Sequence, residues 1–185
     1  MNRTPFQKLV FERRSVRRFL DKTVSRDTVL ACLDAARLAP SATNVQPWRF
    51  IVIDDPKVKD AFSAEVFSGI YSQTKFAAAA PVLVLILSRP DVFANRIGKQ
   101  LQRIAFHLID IGIGGEHLVL AAQEAGLGTC WIGWFNPRRA RRFFKIPRAY
   151  QPVAIIALGY HEKTEPRDKK RKALDEIAWF NKFEG

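Results

Sequence analysis

Cross-linking and metal-ligating side chains are scarce in this chain: two cysteines, Cys32 and Cys130, and three histidines, in 185 residues. Two cysteines make neither a disulfide framework nor a metal cluster, and they suit a reducing cytoplasm. His107 and His117 stand ten apart on one expected helix, about 15 Å, too far to share a metal. His161 has no partner at metal spacing, so no metal site is expected. Long apolar runs are missing too. The longest uncharged one, Phe76 to Ser88, falls short of the roughly 20 residues that span a bilayer. The start, Met1-Asn2-Arg3-Thr4-Pro5, leads into charged sequence rather than an apolar signal core, so a cytoplasmic protein without membrane association is expected. No repeat, low-complexity tract or Gly/Ser linker divides residues 1–185, which predicts one domain. No Ser-His-Asp or paired-carboxylate arrangement presents itself, and Cys130 has no adjacent base to activate it. Negative charge is short: 18 acidic residues face 30 basic ones, a net charge of +12. The surplus implies an anionic partner, whether a phosphate-bearing cofactor, nucleic acid or an anionic surface.

What is present is a globular composition, 48% apolar and 11% aromatic, enough to bury a core. Helices and strands interleave. A helix is predicted near Phe6–Glu12, and a second begins at a Ser25 cap, carries Val29, Leu30, Leu33 and Ala36 at helical spacing, and is ended by Pro40. Trp48–Ile53 reads as a strand, followed by a cap and first-turn proline at Asp54-Asp55-Pro56. Pro81–Leu87 is a continuous apolar run of strand length, the pattern of a central strand buried on both faces. A long helix from about Arg96 to Ala125 ends at Gly126. Its Gly112, Gly114 and Gly115 each forfeit about 1 kcal/mol of helix propensity, which implies close packing there by another helix or a second subunit. Strands at Thr129–Phe135 and Val153–Leu158 enclose a short basic helix capped at Asn136-Pro137, and an irregular tail follows Gly159. The order predicts an α+β fold with a small, mostly antiparallel or mixed sheet flanked by helices.

Three segments carry candidate chemistry. Arg13-Arg14-Ser15-Val16-Arg17-Arg18-Phe19 sets four arginines in six positions, rigid donor forks suited to a phosphate, or equally a solvated basic turn. Pro40-Ser41-Ala42-Thr43-Asn44-Val45-Gln46-Pro47-Trp48 is a rigid polar loop suited to the edge of a heteroaromatic ring. Gly126-Leu127-Gly128-Thr129-Cys130-Trp131-Ile132-Gly133 leaves a helix and enters a strand, so its glycines do not form a dinucleotide fingerprint. A fourth cluster, Arg138, Arg139, Arg141, Arg142, Lys145 and Arg148, reads as a solvated helix face, a nucleic-acid face, or an attractor for a phosphorylated nicotinamide donor.

Together these segments resemble the nitroreductase family of FMN-dependent oxidoreductases. The likeness rests on Arg13-Arg14-Ser15-x-Arg17-x-Phe19, Pro40-Ser41-x-x-Asn44-x-Gln46-Pro47-Trp48, the apolar strand opened by Pro81, and Gly126 through Gly133. It extends to the basic tail Arg167-x-Lys169-Lys170-Arg171-Lys172 before Leu174-Asp175-Glu176-Ile177, covering about residues 6–180. The resemblance implies a dimeric α+β sandwich with FMN at the subunit interface and residues 160–185 as an arm packing on the partner. Carried over by position, Arg13, Arg14, Ser15 and Arg17 would hold the phosphate and part of the ring edge, joined by Lys169 and Arg171. Pro40, Ser41 and Asn44 would come from the other subunit, Gln46 would also bind the cofactor, and Trp131, Ile132 and Gly133 would line the flavin near N5.

A dianionic phosphate answers the basic cluster without nucleic acid. The flavin carries the chemistry, so no catalytic side chain is expected. The implied reaction is ping-pong reduction of nitroaromatics or quinones by NAD(P)H. Alternatives are reductive dehalogenation or other flavin chemistry on the same fold, and a non-enzymatic flavin- or nucleic-acid-binding role.

Overall fold

The computed structural model describes residues 3–89, 104–162 and 169–183. Helix α1 (Pro5–Glu12) starts on a reciprocal cap between Thr4 and Gln7, which satisfies two amide groups the first turn cannot. Helix α2 (Arg26–Arg37) starts at Ser25, whose Oγ accepts from Thr28 N, and stops three residues before Pro40. Strand β1 (Trp48–Ile53) leads through the Asp55 cap and Pro56 into α3 (Pro56–Val66). A run of 3-10 turns, Gly69–Ala79, then precedes β2 (Val82–Ser88). The expected long helix is described as α4 (Phe106–Glu124); its expected portion over 96–103 lies outside the described residues. Strand β3 (Gly128–Ile132), α5 (Pro137–Phe143) and β4 (Gln151–Gly159) complete the set.

The four strands form one antiparallel sheet in the order β1-β2-β4-β3, so the mixed alternative is not realised. The sole parallel pairing among the described residues is a single bridge between Ser15 and Thr129. Strand β2 is buried at all seven positions, as its unbroken apolar run requires. Its even-numbered residues Val82, Val84 and Ile86 join a core with α2 and α4. Leu83, Leu85 and Leu87 join a second core with α3, α5 and the 3-10 run. Pro152 cannot donate to a ladder, and the register between β2 and β4 shifts beside it, between Ile86 and Leu87.

Strand β3 stops at Ile132, three residues earlier than expected, which leaves Gly133 and Trp134 exposed. Helix α4 ends as expected at Gly126, φ +75°: Leu127 N donates to Ala122 O and Gly126 N to Gln123 O, closing both carbonyls in a left-handed turn. The three α4 glycines do not share one neighbour. A Cβ on Gly114 would press on the Trp48 ring and Ala36 O, and one on Gly115 would collide with the Trp131 indole, whereas Gly112 faces open space. At Gly114 and Gly115 the expected close neighbour is this chain's own tryptophans, with the α2 backbone, rather than a second subunit.

Candidate functional site

The arginine segment leaves α1 and runs along the open edge of β3. Val16 N donates to Thr129 O at 2.8 Å, beside the Ser15–Thr129 bridge. The contact is tight because residue 128 is glycine: a Cβ there would lie 2.5 Å from Val16 Cγ2. The first and third sequence segments are therefore fastened to one another through the backbone.

Side chains complete the junction. Glu116, on α4, places Oε1 3.6 Å from Arg13 Nε, and its Oε2 accepts from Trp131 Nε1 at 3.4 Å. One carboxylate thus fixes an arginine from the first segment and a tryptophan from the third. Lys169 reaches the same place from the tail, donating from Nζ to Val10 O at 2.9 Å. Burial, and then the charges of Arg13, Arg171 and Arg14, hold the Lys169 ammonium below its usual value of 10.5; Glu116 opposes this. Arg14 Nη2 is buried and has no hydrogen-bond partner. A buried guanidinium nitrogen left unpaired costs free energy, and a phosphate oxygen would relieve it. The residues present therefore fit a phosphorylated cofactor. Arg171 is exposed and donates to Lys170 O. Arg17, also exposed, stands 5.9 Å from the Phe76 ring centroid.

Trp131 is half-buried and Gly133 exposed. Ile132, 2% exposed, is embedded in the second core, so only its backbone remains to face a cofactor. Burial pushes the Cys130 thiol up, and Arg17 and Arg13 only partly offset this; the side chain is packed in the second core.

The loop carrying Pro40, Ser41, Asn44 and Gln46 is built separately. Ser41 Oγ accepts from Gln46 N at 2.9 Å, and Gln46 Nε2 donates to Asn44 Oδ1 at 3.1 Å. Thr43, Asn44 and Gln46 all have positive φ, 51°, 56° and 50°, strain that must be held by surrounding contacts. Asp110, buried on α4, supplies one by accepting from Ala42 N at 3.1 Å. Among the described residues no hydrogen bond or ion pair joins this loop to the arginine cluster. The structure brings together Arg13, Arg14, Ser15, Trp131 and Lys169 within one protomer, and leaves Pro40, Ser41, Asn44 and Gln46 apart from them.

Glu116 and Asp110 were not among the expected site residues. Their signal is in the sequence: they are the only acidic residues in the first eighteen of α4, a stretch otherwise apolar or glycine apart from His107, His117 and Gln123. No cluster of His, Cys, Asp or Glu fit for a metal occurs among the described residues. No helix among them is long and apolar enough to cross a membrane.

A model of the nitroreductase family matches residues 10–160. A relative from Archaeoglobus fulgidus, provisionally named an NADH dehydrogenase/NAD(P)H nitroreductase, is 30% identical over 88% of this chain and 86% of its own. Iodotyrosine deiodinase 1 of Mus musculus is 28% identical over 96% of this chain and 70% of its own. A solved FMN-dependent nitroreductase from Clostridium difficile R20291 superposes with a TM-score of 0.75 at 26% identity, covering 95% of this chain and 98% of that one.

Proposed function

Because the chain belongs to the nitroreductase family, we propose that it is an FMN-dependent oxidoreductase using NAD(P)H to reduce small electrophilic acceptors such as nitroaromatics and quinones. The observation that carries this reading is Arg14, with a buried, unpartnered guanidinium nitrogen beside Arg13, Lys169 and Arg171. In this reading Arg13, Arg14, Lys169 and Arg171 hold the phosphate, Ser15 adds a neutral donor, and Arg17 serves the ring edge. Trp131 and the backbone of Ile132 and Gly133 face the ring near N5. FMN, when bound, supplies a two-electron carrier between a nicotinamide and an acceptor. The chain positions it: Glu116 holds Arg13 and Trp131 on one carboxylate, so phosphate grip and ring wall keep a fixed separation. With no second nucleotide fingerprint, donor and acceptor take turns at one site.

The site is completed in a homodimer, where the partner supplies Pro40, Ser41, Asn44 and Gln46. Two features support this. The loop is preformed and strained, yet separate from the arginines of its own protomer. Large apolar side chains are also left exposed: Leu108 and Ile109 on α4 are 43% and 51% exposed, and Phe180 and Phe183 on the tail 88% and 77%. In the dimer, 169–183 becomes an arm packing on the partner.

The test is anaerobic mixing of purified protein with NADH or NADPH, followed by reoxidation with nitroaromatics, quinones and halogenated phenols. Bleaching of bound flavin faster than a free-FMN control, then recovery on nitroaromatic or quinone, is expected. The likeness to iodotyrosine deiodinase 1 favours a second reading, reductive dehalogenation, which recovery by halogenated phenols alone would select. Failure of either nucleotide to bleach the flavin would end the oxidoreductase reading.

A further inference from the structure

The basic helix α5 is not absorbed by the flavin site, and the structure divides its charge into two kinds. Arg139 donates to Ser68 Oγ at 2.8 Å and lies 3.6 Å from Glu65 Oε2, while Arg142 Nη2 lies 3.2 Å from the same carboxylate. Arg141 is spent on the carbonyls of Ile146, Pro147 and Tyr150. These three arginines fasten α5 to α3 and close the loop behind it. Arg138 differs. It is exposed and makes no hydrogen bond or ion pair among the described residues.

Arg138 lines an open groove of about 660 Å³ between α5 and the start of the 3-10 run. The opposite side is formed by Ser68, Gly69, Ile70 and Tyr71. Ile70 is 72% exposed there, and Tyr71 packs on Trp134 with centroids 5.1 Å apart. The wall is rigid: Trp134 Nε1 donates to Ile70 O at 2.9 Å, and Thr74 Oγ1 donates to Trp134 O at 2.7 Å. Gly133, which faces the flavin in the reading above, immediately precedes Trp134. Asn136 of the groove is three residues on, a span of at most about 11 Å. The groove therefore begins beside the reactive end of the proposed site.

We propose that this groove takes the adenosine end of a 2′-phosphorylated nicotinamide dinucleotide, with Arg138 on the 2′-phosphate. The inference rests on the oxidoreductase reading and selects between the two donors that reading leaves open. The exposed Ile70 side chain and the Tyr71 ring suit a purine, and an unpaired guanidinium suits a phosphate monoester, which it grips with two parallel donors. The unphosphorylated dinucleotide offers this arginine no such group.

The experiment is calorimetric titration of flavin-loaded protein with adenosine 2′,5′-bisphosphate and with AMP, for the wild type and Arg138→Ala. The bisphosphate is expected to bind at least tenfold more tightly than AMP, and Arg138→Ala to erase that difference without changing flavin content. In anaerobic reduction, the same substitution is expected to raise the half-saturating NADPH concentration about tenfold, against less than twofold for NADH. Equal wild-type affinity for the two nucleotides would overturn the proposal, as would a loss in Arg138→Ala shared equally by NADPH and NADH. The titration involves no electron transfer. Bisphosphate binding through Arg138 in a protein that neither nucleotide reduces would therefore uphold the groove and overturn only the oxidoreductase reading.

Discussion

Lys169 is the residue at which burial and neighbouring charge meet in the proposed phosphate site. Its ammonium is held below 10.5 mainly by burial and then by three arginines. A bound phosphate opposes both effects, because it favours the charged lysine. As pH rises through the lowered value, the site loses a positive charge while its arginines keep theirs. Affinity for FMN is therefore expected to fall over that alkaline window, and Lys169→Met to bind more weakly at neutral pH with this dependence flattened. Protein without flavin should behave in the opposite sense. There the unfolded chain binds the proton more tightly than the folded one, so stability rises across the same window. Fluorescence titrations and denaturant midpoints, each taken from neutral pH up to the ordinary lysine value of 10.5, check the two signs. Asp110 is a second test at this scale. It holds the strained loop at Ala42 N, and Asp110→Ala is expected to cost about 0.5–1.5 kcal/mol, the net worth of one such hydrogen bond at a half-buried amide, read from urea midpoints.

Among the elements, α4 organises both halves of the site. Asp110 and Glu116 lie six residues apart, about 9 Å along its axis, and reach the loop and the arginine junction respectively. Two of its glycines make that placement possible by admitting Trp48 and Trp131. Gly115→Ala is expected to destabilise by about 1–3 kcal/mol, as overpacking does, and to release flavin with it. Gly112→Ala meets nothing within 4 Å, so in the protomer it should gain up to about 1 kcal/mol of helix propensity. Thermal unfolding of the two variants separates them.

Much of this level was legible in sequence. Ser25, Asp55-Pro56, Asn136-Pro137 and Gly126 signal their helix ends through local chemistry, and β2 shows itself as a doubly buried strand because no polar residue interrupts it. The 3-10 run over 69–79 was not legible, since its residues follow neither a helical nor a strand period. The early end of β3 was hidden for a similar reason: Gly133-Trp134-Phe135 continues the apolar composition after the pairing with β4 has stopped. In the site, arginine density announced the anion-binding segment. That Arg14 rather than a neighbour would be buried without a partner depends on how the chain lies against β3, which only the fold decides.

For the molecule as a whole, the exposed apolar residues of α4 and the tail set the expectation of a dimer. Leu108, Ile109 and the open side of Gly112 share one region of α4, and a protomer leaving them in water would be prone to associate. An obligate homodimer burying more than about 2,000 Å² in total is expected. Gly112→Leu, harmless to the protomer's own packing, should shift sedimentation toward monomer and lower flavin occupancy together. A flavin-loaded monomer at micromolar concentration would show that Pro40, Ser41, Asn44 and Gln46 are not shared across subunits.

In the proposed site, Arg14, with its unpartnered guanidinium nitrogen, and its basic neighbours hold a flavin phosphate. Titrating flavin-free protein with FMN and with riboflavin, which lacks only that phosphate, isolates the claim from everything else the site does. Each charge-assisted bond is worth about 1.5–3 kcal/mol. FMN is therefore expected to bind at least tenfold more tightly than riboflavin, and Arg14→Ala to close most of the gap by weakening FMN alone. Equal binding of the two flavins, or a gap that survives Arg14→Ala unchanged, would contradict it.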